Sequence, residues 1–124
     1  IDEPYRFIKQ KLIDISEDDS EFERRAEITI EAHGEVTTLT GYGNGPIDAV
    51  KNALNSLPEM HSHLLDYSEH ALTSGSSSKA AAYVYLRAKG SARQEYGVGI
   101  HPNITTATVK AIISGMNRLY KTLK

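Results

Sequence analysis

The chain of 124 residues has no cysteine and no tryptophan, and phenylalanine occurs only twice. Without thiols it has no disulfides, thiolate zinc sites or cysteine nucleophiles. The absence of cysteine suits a reducing compartment, and we expect the protein to be cytoplasmic. A formal net charge of −2 leaves no basic surface for nucleic acid or an anionic membrane. The sequence also lacks any run close to the roughly 18 apolar residues of a membrane-spanning helix.

The chain begins at Ile1 rather than methionine, and no signal peptide is visible. Its length is that of one domain and is too short for most multidomain enzymes. With 40% hydrophobic and 24% charged residues, it has the composition of a globular protein that buries most of its apolar surface. We therefore expect one domain, excised or processed from a longer protein.

The most informative pattern is an internal repeat, in which the segment 26–46 recurs at 82–102. Six residues between positions 26 and 46 recur identically at this constant offset, against about one or two expected from average composition. The identical pairs are Ala26 and Ala82, Ala32 and Ala88, Gly34 and Gly90, Gly41 and Gly97, Gly43 and Gly99, and Pro46 and Pro102. The repetition predicts two copies of one structural unit.

Each copy is predicted to contain three strands and a helix. Residues 26–32 and 82–88 alternate apolar and polar side chains with the period of a half-buried strand. Gly34 and Gly90 predict hairpins, with strands after them near 36–41 and 92–98 and earlier strands at 11–16 and 67–72. We therefore expect an α+β fold, a duplicated β-β-β-α unit with pseudo-twofold symmetry that dimerises. Its predicted parts are a linker or arm at 1–10, a first repeat at 11–63 and a second repeat at 64–124.

The two helices are predicted from apolar stripes that follow a proline. The first stripe begins after Pro46 and ends before Pro58, and the second begins after Pro102 and continues to Leu123. The apolar positions are Ile47, Val50, Leu54 and Leu57 in the first, and Ile104, Ala107, Ala111, Met116, Leu119 and Leu123 in the second. Ile112 and Ile113 widen the second stripe. We expect no part of the chain to cover these two side chains, or Tyr83 and Tyr85 on their strand. These uncovered side chains predict a homodimer.

The candidate binding feature is the pair of glycine-containing junctions at 41–46 and 97–102, each between a strand and a helix. Glycine lets a ligand approach the backbone, and a helix start offers amide groups to a carboxylate or phosphate. The alternative is that these glycines only permit tight turns. The spacing excludes a P-loop and the dinucleotide fingerprint. With no lysine or arginine beside the glycines, a zwitterionic amino acid fits, its ammonium group held by carbonyls or by Asp48.

Other chemistry is weakly indicated. His61 and His63 have metal-ligand spacing, but we place them at the frayed end of a helix and expect no metal site. His33 is expected at the surface. The acidic cluster between Glu17 and Glu23 is typical of a solvated turn. No serine lies in a nucleophile elbow, so the chain itself is expected to be catalytically silent, with no cofactor.

Two segments resemble a known family. Residues 41–49 (GYGNGPIDA) and 96–107 (YGVGIHPNITTA) are similar to the two signatures of the C-terminal regulatory domain of 2-isopropylmalate synthase, and 65–71 (LDYSEHA) resembles the actinobacterial branch. The resemblance covers residues 41–124 well and 1–40 only by pattern. It implies a dimerising domain that binds L-leucine as the feedback inhibitor of leucine biosynthesis. It also implies a separate catalytic TIM-barrel domain that uses a divalent metal to condense acetyl-CoA with 2-oxoisovalerate.

Carried over by position, the resemblance implies an effector pocket around the first junction and the strand after it. The implied pocket residues are Gly43, Asn44, Gly45, Ile47, Asp48, Tyr67, Ala71, Ser78, Ala80, Pro102 and Ile104. Ser78 and His101 depart from what relatives carry there. Related domains of citramalate synthases bind isoleucine, and a pocket separates such isomers by only about 1–3 kcal/mol. Isoleucine binding and a purely structural dimerisation role therefore stay as alternatives.

Overall fold

The computed structural model describes residues 3–14, 24–57, 62–72 and 79–123. Its two three-stranded antiparallel sheets are each followed by a helix, which confirms the predicted α+β fold with a duplicated β-β-β-α unit. The elements are β1 (Tyr5–Asp14), β2 (Arg24–Ala32), β3 (Glu35–Gly43), α1 (Pro46–Leu54), β4 (Ser62–Ala71), β5 (Ala80–Ala88), β6 (Gln94–His101) and α2 (Ile104–Leu123).

One continuous core joins the two repeats. Alternate residues of the central strands point inward, so that Ile28 and Ile30 of β2 and Val84 and Leu86 of β5 are buried. Helix α2 packs on its own sheet and also contacts β1 and α1. Because the helices and both sheets share this core, the repeats form a single unit. No helix within the described ranges has both the length and the apolar character needed to span a membrane.

Strand β1 begins at Tyr5, so the prediction of a linker over residues 1–10 is wrong from that residue onward. The strand pairs with β2 along its whole length, and its Gln10 side chain donates a hydrogen bond to Thr106 Oγ1 of α2. A bulge between Phe7 and Lys9 shifts the alternation of inward side chains partway along β1. That change of phase hides the beginning of the strand from a search for regular alternation, so the strand predicted at 11–16 matches β1 only over residues 11–14.

Strand β4 repeats the architecture of β1, including the bulge. The irregularity between Leu64 and Asp66 is the counterpart of the one in β1. Because β4 begins at Ser62, the predicted repeat boundary between 63 and 64 falls inside a strand and is wrong. His63 consequently lies on β4 rather than at the frayed end of a helix, and His61 lies outside the described residues.

The offset between the repeats is not constant along the chain. The second hairpin is longer than the first, since it closes through Ala88 and Arg93 where the first closes through Ala32 and Glu35. Equivalent positions beyond the hairpins are therefore further apart in sequence than those before them. Gly41 pairs with Ala26, and Gly99 pairs with Ala82, so these two glycines are equivalent. The predicted matches of Gly41, Gly43 and Pro46 with Gly97, Gly99 and Pro102 are wrong for this reason.

Most of the junction glycines serve helix packing. A Cβ atom on Gly41 would overlap the backbone of Ala53, and one on Gly99 would overlap the backbone of Ala107. Glycine at these positions lets each helix lie directly on the strand before it. The two roles considered from the sequence, letting a ligand approach the backbone and permitting a tight turn, therefore do not explain these glycines. Gly45 differs, because a Cβ atom there would meet nothing within 4 Å.

The helices differ in length, with 9 residues in α1 and 20 in α2. The extra length of α2 runs along β1, where Asn117 hydrogen-bonds the Tyr5 backbone. Ile112 and Ile113 of α2 are only 2% and 4% exposed and belong to the core, so the prediction that they lack intrachain cover is wrong. In the described part of the chain, α1 makes no comparable contact along β4. The inner face of β4 is therefore left partly open.

Candidate ligand-binding site

A cavity of about 360 Å³ lies where the short helix α1 leaves β4 uncovered. Ligand pockets of small molecules have volumes of about 300–1,000 Å³. The start of α1, the inner face of β4 and the first turns of α2 form its walls. The lining residues are Gly45, Pro46, Ile47, Asp48, Val50, Tyr67, Glu69, Ile104, Thr105 and Thr108.

The start of α1 supplies the cavity with backbone donors. Pro46 has no N–H group, and the first hydrogen bond of the helix runs from the Ala49 amide to the Gly45 carbonyl, at 3.1 Å. The amides of Ile47 and Asp48 precede that bond, and Gly45 provides no side-chain cap for them. The positive end of the helix dipole adds to their attraction for an anion. This end of the cavity suits a carboxylate.

The start of α2 is different, because its own side chains cap it. The Thr106 amide donates to Asn103 Oδ1 at 3.0 Å, and the Asn103 amide donates to His101 Nδ1 at 3.0 Å. The sequence predicts two equivalent anion-binding junctions. Within the described residues, the start of α1 has no side-chain cap, whereas at the start of α2 Asn103 caps the Thr106 amide.

A hydrogen-bonded cluster on β4 and α2 forms another part of the lining. The Tyr67 hydroxyl donates to Glu69 Oε2 at 2.7 Å and lies 3.1 Å from Thr108 Oγ1, whose hydroxyl also lies 2.9 Å from the Ile104 carbonyl oxygen. Burial raises the pKa of Tyr67 above its ordinary value; the Thr108 hydrogen bond lowers it and the Glu69 carboxylate raises it further. Tyr67 therefore stays protonated near neutral pH and keeps a donor on Glu69.

The two acidic groups of the cavity differ in their partners. Asp48 Oδ1 lies 3.4 Å from the Lys51 ammonium group, three residues further along α1. Glu69 is exposed and receives the Tyr67 hydroxyl, a neutral donor that leaves its negative charge in place. Among the described carboxylates of this cavity, Glu69 is the one without an ion pair. The lining of the cavity thus combines backbone donors, a carboxylate and apolar side chains.

A second cavity of about 320 Å³ adjoins the first along β4. Glu69 and Ile104 line both of them. The other residues of the second cavity are His70, Ala71, Lys79, Ala80 and Pro102.

The structure brings most of the predicted pocket residues to these two cavities. Five of them line the first cavity, namely Gly45, Ile47, Asp48, Tyr67 and Ile104. Ala71, Ala80 and Pro102 line the second. Gly43 is buried beneath α1, Asn44 is exposed outside both cavities, and Ser78 lies outside the described residues.

Sequence reasoning missed Glu69 and Thr108. Glu69 lies two residues after Tyr67 on a strand, so it shares the inner face of β4. Thr108 lies four residues after Ile104 on α2 and therefore on the same helix face. Both spacings are visible in the sequence once β4 and α2 are assigned.

Within the described ranges, no three His, Cys, Asp or Glu side chains come together as metal ligands. His63 is exposed on β4, and His70 stacks edge-on against Tyr83 with ring centroids 5.7 Å apart. The predicted acidic cluster between 17 and 23 lies outside the described residues.

The outer faces of the two sheets have opposite character. On β5 and β6 the side chains of Tyr83, Tyr85, Tyr96 and Ile100, which we call the aromatic face, are between 39% and 52% exposed. The outer face of the first sheet carries charged residues in pairs, such as Arg25 with Glu27 at 3.4 Å and Arg6 with Glu31. Among the described strands, the second sheet thus exposes these apolar side chains on two adjacent strands, whereas the first sheet exposes Ile8, Val36 and Tyr42 together with the charged pairs.

Comparison with known families agrees with this architecture. Residues 2–120 match the model of the LeuA allosteric (dimerisation) domain. The chain belongs to this family. The match extends through β1 and thus includes the segment 2–40, which the sequence motifs covered only by pattern.

Several relatives with curated names are 2-isopropylmalate synthases. The chain is 44% identical to the 2-isopropylmalate synthase of Clostridium acetobutylicum over 92 residues. This alignment covers 74% of the chain and 16% of the relative. It is 40% identical over 116 residues to the 2-isopropylmalate synthase of Mycobacterium leprae, an alignment that covers 94% of the chain and 18% of the relative. It is 44% identical over 101 residues to the 2-isopropylmalate synthase of Thermobifida fusca, with 82% of the chain and 17% of the relative covered. The chain thus spans less than a fifth of the length of these relatives.

Proposed function

We propose that this LeuA domain binds L-leucine in the cavity between α1 and β4 and acts as the feedback-sensing and dimerisation domain of a 2-isopropylmalate synthase. The observation that carries the proposal is a single cavity lined by the uncapped start of α1, by aliphatic side chains and by the Glu69 carboxylate. A zwitterionic aliphatic amino acid has the matching three parts.

The leucine carboxylate would accept hydrogen bonds from the amides of Ile47 and Asp48. Backbone donors at a helix start bind anions without a basic side chain. The isobutyl group would lie against Val50 and Ile104, the buried and half-buried aliphatic residues that line the cavity. Removing such a side chain from water contributes about 1.5–3 kcal/mol.

The parent protein would supply the chemistry. Its relatives are 2-isopropylmalate synthases and are more than five times the length of the matched segment. We expect the synthase reaction, acetyl-CoA with 2-oxoisovalerate, to occur in a TIM-barrel domain that holds a divalent metal. The LeuA domain would inhibit that reaction when leucine binds and would itself be non-catalytic. By the same reasoning we expect a cytoplasmic protein.

The aromatic face favours self-association. Tyr85 and Tyr96 lie side by side with ring centroids 6.5 Å apart, and Arg118 lies 4.2 Å from the Tyr96 ring. A twofold contact brings the same patch of two subunits together, and aromatic residues with arginine are enriched in such interfaces. The first sheet exposes a single tyrosine, Tyr42, among the described residues, and Arg6 and Arg25 are there paired with glutamates. We therefore propose a homodimer that uses the aromatic face.

Titration calorimetry with leucine, isoleucine and valine tests the ligand. The proposal predicts saturable binding with leucine as the tightest of the three. Tighter binding of isoleucine would instead support the regulatory domain of a citramalate synthase. Absence of binding by all three would leave a purely structural dimerisation domain.

A further inference from the structure

Glu69 is a carboxylate for which the family resemblance assigns no role. It lies on the inner face of β4, lines both cavities and accepts the Tyr67 hydroxyl at 2.7 Å. Asp48, the acidic residue considered from the sequence, already has a cationic partner, because its carboxylate is 3.4 Å from the Lys51 ammonium group. Of the two, Glu69 is the stronger candidate to receive a cation.

The cavity without Glu69 would fit several compounds equally well. A 2-oxo acid, a simple carboxylic acid and an amino acid with the same isobutyl group all present one carboxylate and the same apolar surface. The α1 amides and the aliphatic wall recognise only those shared parts. A selective site therefore needs a group that recognises the ammonium ion, which the amino acid alone carries.

We propose that Glu69 binds the α-ammonium group of the ligand and thereby makes the site select amino acids over the corresponding 2-oxo acids. This inference rests on the proposed leucine site. The selection matters for a domain attached to an enzyme of 2-oxo acid chemistry, because 2-oxo acids would otherwise compete for the same amides.

Tyr67 acts as a positioning residue for Glu69. Its hydroxyl fixes one carboxylate oxygen, and Thr108, anchored on α2, holds the hydroxyl from the other side. A neutral donor orients the carboxylate and leaves its charge for the ligand. Hydrogen bonds with a charged partner are stronger than those between neutral groups. An oriented carboxylate therefore favours a ligand with an ammonium group over a ligand that lacks one.

Calorimetry with L-leucine, 4-methyl-2-oxopentanoate and 4-methylpentanoate tests the inference on the parent chain and on Glu69→Gln. In the parent chain we expect leucine to bind at least about 10-fold more tightly than either analogue. In Glu69→Gln we expect leucine to lose about 10- to 100-fold in affinity, whereas the two analogues keep theirs or gain, so that the preference disappears. Glu35→Gln, the same charge change at an exposed residue of the first hairpin, should leave all three affinities unchanged.

Tyr67→Phe keeps the carboxylate but removes the group that orients it. We expect a smaller loss of the leucine preference than in Glu69→Gln. An undiminished preference in Glu69→Gln would overturn the inference, and so would an equal loss of all three ligands, which would indicate a structural role. A parent chain that binds no leucine would instead refute the proposed function itself.

Discussion

The side-chain amide of Asn117 brackets the backbone of Tyr5. Asn117 Nδ2 donates to the Tyr5 carbonyl at 2.8 Å, and the Tyr5 amide donates to Asn117 Oδ1 at 3.0 Å. The two residues are 112 positions apart, and both are buried. In this way the last helix of the second repeat fixes the first strand of the first repeat, using the donor and acceptor pattern of a neighbouring strand.

We predict that Asn117→Ala lowers the free energy of unfolding by about 2–4 kcal/mol, because it removes both of the buried hydrogen bonds that Asn117 makes to the Tyr5 backbone. Urea denaturation followed by circular dichroism measures the change. Asn44→Ala, at an exposed loop residue, should stay within about 0.5 kcal/mol of the parent chain. Equal stability of the two variants would mean that the two hydrogen bonds between Asn117 and the Tyr5 backbone contribute little to stability.

The fold could be predicted from the sequence where alternation is regular, as in Ile28, Ile30, Val84 and Leu86. For β1 only its last residues could be predicted, as part of the strand expected at 11–16, because the bulge after Phe7 places Gln10, a polar residue, on the inner face. Tertiary contact with α2 determines that strand. Periodicity within a single segment carries no information about such contact.

The site could be predicted only in part. Gly45, Ile47 and Tyr67 belong to motifs, and the structure places them around one cavity. The roles of the other junction glycines depend on how closely a helix approaches a strand, which sequence spacing does not reveal. The difference between the two helix starts depends on one side chain, Asn103, whose capping geometry appears only in three dimensions.

Gly45→Asp should separate stability from binding. The φ angle of Gly45 is −144°, an extended value open to any residue, and a side chain there meets no neighbour. Aspartate at this N-cap position should stabilise the ligand-free chain by about 0.5–1 kcal/mol through capping and reduced chain entropy. It should also abolish leucine binding, because it occupies the amides and repels the ligand carboxylate.

Thermal unfolding with and without leucine measures both effects in one experiment. Lys79→Ala, which changes an exposed residue of the second cavity, is the control and should keep most of the leucine-induced shift. A Gly45→Asp chain that is still stabilised by leucine would place the ligand elsewhere.

The raised pKa of Tyr67 predicts a loss of stability at alkaline pH. The folded state holds the phenolic proton more tightly than the unfolded state, so this contribution is complete below about pH 10, where an unperturbed tyrosine titrates, and declines above it. Absorbance titration of the phenolate band in the parent chain and in Tyr67→Phe gives the curve of Tyr67 by difference. A midpoint at or below the ordinary tyrosine value would contradict the burial described for this residue.

The aromatic face predicts how dimerisation can be disrupted. Tyr83→Ser combined with Tyr85→Ser removes two rings from the outer face of β5, where no core contact depends on them. We expect the parent chain to sediment as a dimer and this variant as a monomer at the same micromolar concentration. Tyr42→Ser, at a tyrosine 42% exposed on the first sheet, should remain dimeric. A dimeric double variant would assign the interface to another surface.

The most direct test of the leucine site is a titration of the ¹⁵N-labelled chain with L-leucine, followed by two-dimensional NMR of the backbone amides. The proposed site predicts that the Ile47 and Asp48 amides shift most, since they would donate to the ligand carboxylate. The Thr106 amide, already bonded to Asn103 at 3.0 Å, should shift far less. No saturable shift at Ile47 and Asp48, or a larger one at the start of α2, would contradict a leucine site at the start of α1.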